Sequence, residues 1–130
     1  MARDNTMSAS FHMASGDGAS GFSEASGSLT FTSGDAVKLE ASTGGAAEVE
    51  HSVASFGLAQ ADGIYFENRD TSDLMILSIR SATGSGNNLA SFKIAPSGVF
   101  CVRFDATQTA VTHVAIECGN DSPYVLCLAE

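Results

Sequence analysis

Phe92-Lys93-Ile94-Ala95-Pro96-Ser97-Gly98-Val99-Phe100-Cys101-Val102-Arg103-Phe104 reads as two strands joined by a tight turn. Pro96 presets φ for the first turn position, and Gly98 is expected to accept the positive φ that follows. Beyond the turn, Phe100, Val102 and Phe104 fall on one side of the chain, with Cys101 and Arg103 on the other. A period of two marks a strand with one buried face. Working upstream, residues 64–67 form a strand opened by Gly63, and residues 68–73 form a polar turn. Residues 74–80 form a strand that is apolar on both faces, and residues 81–88 a Gly/Asn loop before the strand at 89–95. Downstream, strands are expected over 111–117 and 124–129, separated by the turn Gly119-Asn120-Asp121-Ser122-Pro123.

The first half is richer in Ser, Gly, Ala and Thr, and its strands are weaker: 8–14, 28–32, 36–41 and 48–56. The short strands around Phe31 and Leu39 suit edge strands or hairpin arms. No window holds apolar residues at helical spacing between caps. Nine or ten short strands separated by turn signals imply an all-β, antiparallel β-sandwich, of which the jelly roll is one form. The polar residues 1–10 are expected to be an extended N-terminal arm, and residues 11–130 a single sandwich domain.

The 130 residues suit one core. Six Lys and Arg against 15 Asp and Glu leave a net charge of -9, which opposes nucleic-acid binding and docking on an anionic membrane. No apolar run reaches the roughly 18 residues of a membrane helix. Residues 1–6 lack the basic-then-apolar pattern of a secretory signal, so the chain is expected to be made and, at first, kept in a cytoplasm.

Chemistry-bearing motifs are weak. Gly16-Asp17-Gly18-Ala19-Ser20-Gly21 matches a dinucleotide string, but the helix that must follow is missing from the pattern, so a loop is expected. His12, His51 and His113 share no ligand spacing with one another or with a Cys. His51 lies among Glu48, Glu50 and Ser52 and reads as a solvated strand face. Cys101, Cys118 and Cys127 are odd in number and sit among apolar residues, so inert thiols are expected. Asp70 and Asp73 lie where turn-capping Asp is common. No cofactor, metal or catalytic set is expected, and the chain reads as a non-enzyme.

Several of these segments form a layout: Gly63-Ile64-Tyr65-Phe66-Glu67-Asn68-Arg69-Asp70, Leu74-Met75-Ile76-Leu77-Ser78-Ile79, Phe92-Lys93-Ile94-Ala95-Pro96-Ser97-Gly98, Phe100-Cys101-Val102-Arg103-Phe104, Val114-Ala115-Ile116-Glu117 and Tyr124-Val125-Leu126-Cys127-Leu128-Ala129-Glu130. This layout resembles small virion structural proteins of tailed bacteriophages, and it covers about half the chain. The Pro96-Ser97-Gly98 turn is one residue longer than the commonest Pro-Gly form, and residues 1–47 match only in texture.

The resemblance implies a capsid decoration, or cement, protein on the outer surface of the phage head. Its partner would be the major capsid protein or a neighbouring virion protein, and a homotrimer is the expected copy number per site. Two other readings stay open: a tail, baseplate or fibre-associated virion protein, and a carbohydrate-binding β-sandwich using Tyr65, Tyr124 and the Asn87-Asn88 loop. The contact candidates are Ala2, Arg3, Asp4, Asn5, Thr6 and Met7 of the arm, Asn68, Arg69 and Asp70 of one loop, and Asn87 and Asn88 of another.

Overall fold

The computed structural model describes residues 5–13, 25–33, 35–104 and 110–130. Its strands are β1 (Asn5–Met13), β2 (Ala25–Ser33), β3 (Ala36–Ser42), β4 (Glu48–Ser52), β5 (Gly63–Asn68), β6 (Met75–Arg80), β7 (Asn88–Ile94), β8 (Val99–Arg103), β9 (His113–Glu117) and β10 (Pro123–Ala129). Each falls on an expected strand, with shifted ends. The largest shift is at β4, which stops at Ser52 because residues Val53–Phe56 wind into a 3-10 turn.

β3 pairs with β10, β4 with β9, β5 with β8 and β6 with β7, all antiparallel. These four pairings describe one long hairpin whose tip is the β6–β7 loop. The hairpin is rolled, so successive strand pairs alternate between two layers. β10 then also meets β5, and β9 also meets β6. The result is two four-stranded sheets, ordered β3-β10-β5-β8 and β4-β9-β6-β7. Such a rolled double sheet of eight strands is a jelly roll.

The layers close on a core of Ile64, Phe66, Tyr124, Leu126 and Leu128 from one sheet and Met75, Leu77, Ile79, Val114 and Ile116 from the other. Each large apolar side chain removed from water contributes roughly 1.5–3 kcal/mol. Val37, Leu39, Phe100, Val102 and Phe104 pack against the rim of this cluster, as their alternation requires. β1 and β2 pair only with each other, from Asn5 opposite Ser33 to Met13 opposite Ala25. This ladder runs across residues 10 and 11, where the arm was expected to give way to the body.

The turn at 96–98 differs from expectation. The positive φ, 59°, belongs to Ser97 and not to Gly98. Gly98 is needed for closeness: a Cβ there would lie 2.8 Å from the Ala95 carbonyl oxygen.

Candidate functional site

Rolling the hairpin brings the β3–β4, β5–β6, β7–β8 and β9–β10 loops to one end of the sandwich. Buried Asn68, the last residue of β5, is the hub. Its Nδ2 donates to the carbonyls of Asp73 (2.8 Å), Ala95 (3.1 Å) and Ile94 (3.2 Å), and its Oδ1 accepts from the Asp70 N–H at 3.0 Å. Asp70 extends the network. Its Oδ1 accepts from the Ser72 and Asp73 N–H groups (2.7 and 2.8 Å), and its Oδ2 from the Ser122 hydroxyl at 2.7 Å. The Ser122 hydroxyl, followed by the Ser72 and Asp73 N–H groups, holds the Asp70 carboxyl far below the usual carboxylate range. Thr43 completes the ring by donating to the Asn120 carbonyl at 2.6 Å and accepting from the Ser122 N–H at 3.1 Å. Arg69 points outward, exposed, with Glu67 at 3.4 Å and Glu40 at 3.6 Å, contacts of at most about 1 kcal/mol in water.

The opposite end holds Asn87 and Asn88. Asn87 Nδ2 donates to the Thr83 carbonyl at 2.7 Å, closing its own loop. Asn88 Oδ1 accepts from Arg80 Nε at 2.6 Å. Arg80 closes β6 on the outward face of its sheet, yet is only 1% exposed. Its guanidinium forks onto both oxygens of Glu48 at 2.8 Å and reaches Glu50 at 2.5 Å. Ala115 stands on the strand between Arg80 and these glutamates, and a methyl group there leaves the long side chain room to cross. Glu50 also accepts from the Thr83 hydroxyl and from the Gly84 N–H at 2.9 Å. Those two bonds, then Arg80, pull the Glu50 carboxyl down to about 2. This cluster escaped the sequence reading. Its signal is an Arg ending the apolar run of β6, together with two Glu spaced by two on another strand.

The loop candidates are therefore not one surface. Asn68, Arg69 and Asp70 lie at one end, Asn87 and Asn88 at the other, separated by the six residues of β6, about 20 Å of strand. Ala2, Arg3 and Asp4 lie outside the described residues, as does the 16–21 string. Asn5, Thr6 and Met7 stand in β1.

Two further expectations change. His51 is not on a solvated face. The register puts Glu48 and Glu50 outward and turns His51 inward, where it is half-buried with Nε2 2.7 Å from the Tyr124 hydroxyl. Tyr124 is 1% exposed, so it offers no stacking platform. Tyr65 instead stands on the outer face of its sheet, its hydroxyl donating to Glu67 at 3.3 Å. Cys101 and Cys127 flank Tyr65 on that face, one strand to each side, while Cys118 is buried; all three thiols are free.

An open cleft of about 370 Å³ lies beside the hub end, lined by Ser72, Asp73, Leu74, Glu117, Gly119 and Asn120 among others. Among the described residues no three His, Cys, Asp or Glu are placed to hold a metal ion. The polar side chains at both ends tie strand ends and loops to one another. That arrangement stiffens the ends of the sandwich.

No family model matches this chain. Nor does any curated protein or solved structure match it.

Proposed function

We propose that this chain is a structural protein of a tailed-phage virion, a decoration protein on the outer surface of the head. One observation carries the reading: the reactive-looking side chains at the two ends of the sandwich, Asn68, Asp70, Ser122, Arg80 and Glu50, are engaged in tying strand ends and loops to one another. A protein whose work is to hold a surface under load needs stiff loops more than open chemistry. The jelly roll is a recurrent architecture of viral shells, though also of lectins and small-molecule enzymes, so the fold is compatible with the role and does not specify it. The charge of -9 favours the outside of a DNA-filled shell.

The test is cosedimentation with empty, expanded heads, quantified against the major capsid protein. Saturation near one copy, or one third of a copy, per capsid subunit is the expected result, the latter ratio marking a trimeric site. Absence of binding overturns the head placement. The tail reading then takes over, with copies counted in tail and baseplate fractions. A glycan-binding role draws support only from the cleft beside Leu74, since Tyr65, Tyr124 and the Asn87-Asn88 loop do not converge.

A further inference from the structure

Ile76 stands on the outward face of its sheet, with Glu117 directly opposite on β9. Their Cβ atoms are therefore about 5 Å apart. Ile76 is half-buried, and Glu117 is exposed. Leu74, just before β6, is 50% exposed, although it is a large apolar side chain. These three residues line the open cleft of about 370 Å³, together with Asp73 of the β5–β6 loop and Asn120 of the β9–β10 loop. The two loops are pinned to each other, since Asn120 Nδ2 donates to Asp73 Oδ2 at 2.7 Å. The β6–β9 ladder and this bond fix the shape of the cleft before anything enters it.

Its chemistry is of two kinds. Leu74 and Ile76 offer apolar surface. Asp73 and Glu117 offer carboxylates, and no Lys, Arg or aromatic ring is among the lining residues. Glu117 makes no hydrogen bond or ion pair among the described residues, and Asp73 keeps Oδ1 unbonded. Lys93, opposite Ile76 on β7, lies outside the lining and forms no ion pair with Glu117.

These features narrow the occupant. An anion is repelled. A wholly apolar group would strip water from Glu117 and give nothing back. A sugar ring finds no aromatic face to stack on. A calcium ion wants six to eight oxygen ligands, and no three acidic, His or Cys side chains converge among the described residues. A basic side chain satisfies both halves. Its methylene stem covers Leu74 and Ile76 while its charged head meets the carboxylates. Arginine suits the site better than lysine, because its planar fork presents several donors at fixed angles to carboxylate oxygens.

We propose that this cleft is a socket for an arginine side chain carried by a partner protein. The net charge of -9 draws such a partner in. The volume lies near the lower end of the roughly 300–1,000 Å³ of ligand pockets, which suits one side chain better than a larger ligand. The cleft is open to water, so one socket binds weakly and serves as an anchor within a wider contact. It does not depend on the proposed virion role.

Amide chemical shifts of the full chain test this, with N-acetylarginine amide as the probe. The expected result is saturable shifts confined to residues 72–76 and 117–120, weakening as salt is added. N-acetylcitrulline amide, of the same shape without the charge, should shift them little. Glu117→Gln and Leu74→Ser should each weaken arginine binding by about two- to fivefold. Both side chains are exposed, thermal unfolding checks both folds, and the citrulline comparison needs no variant. Four results each overturn the proposal: no saturable shift at the solubility limit of the probe, equal shifts from citrulline, variants that bind as wild type does, or shifts spread over the whole acidic surface. Maltotriose shifting these amides where arginine does not would also overturn it, in favour of a glycan site.

Discussion

Asn68 shows how much one amide can hold: three carbonyls on its donor side and the β5–β6 turn on its acceptor side. Asn68→Ala leaves these buried carbonyls short of a donor. It should cost about 2–4 kcal/mol, read as a lower urea midpoint at unchanged slope. Glu50 makes the fold acid-sensitive. Its carboxyl sits at about 2 in the folded chain against an ordinary 4.5. A depressed carboxylate contributes stability that is full above its unfolded value and is lost as pH falls towards the folded one. The melting temperature should therefore drop between about pH 5 and 2, and Glu50→Gln should flatten that drop while lowering stability at pH 7. His51 acts higher on the scale. Burial lowers its pKa from 6.5, so the unfolded chain takes the proton first and stability declines below about pH 6.5. His51→Phe should remove that decline, measured by thermal unfolding between pH 7 and 5. Of these residues, only the turn-capping role of Asp70 was legible beforehand, because capping is local. Asn68, Glu50 and His51 act on partners 26 to 73 residues away, and alternation alone does not say which strand lies alongside.

At the scale of elements, short runs bounded by turn residues located the described strands, with alternation marking the half-buried ones such as β8, since turn chemistry and the period of two are written within a few residues. The Pro96-Ser97-Gly98 turn was found but misassigned, because positive φ and lack of space for a Cβ both favour glycine. The two are separable by experiment. Gly98→Ala should destabilise by about 1–3 kcal/mol through the clash with the Ala95 carbonyl. Ser97→Gly should be neutral or stabilise by up to about 1 kcal/mol, since it relieves a left-handed residue. Differential melting of the two variants checks the opposite signs. Strand position also left a trace in composition. β6 and β10, interior strands of their sheets, are the most continuously apolar segments, whereas the edge strand β7 is mostly exposed.

The whole molecule is a roll whose outermost pair, β3 and β10, joins residues more than eighty positions apart. Order of that kind is invisible to a single sequence, because the hydrophobic pattern says which face is buried and not which neighbour buries it. It also predicts slow folding, in the millisecond-to-second range or beyond, since loop closure precedes most stabilising contacts. Removing residues 123–130 takes out an interior strand bonded on both sides. The truncated chain should lose the native fold, seen as loss of cooperative melting.

That inner place of β10 bears on how the protein is made. During vectorial synthesis β3, β5 and β8 emerge early, with a gap between β3 and β5 that only β10 fits. The sheet cannot close until β10 has left the ribosome. An interrupted chain would present two open strand edges, on β3 and β5, and an unlidded core, the features that make an unfinished chain prone to aggregate and to be cleared.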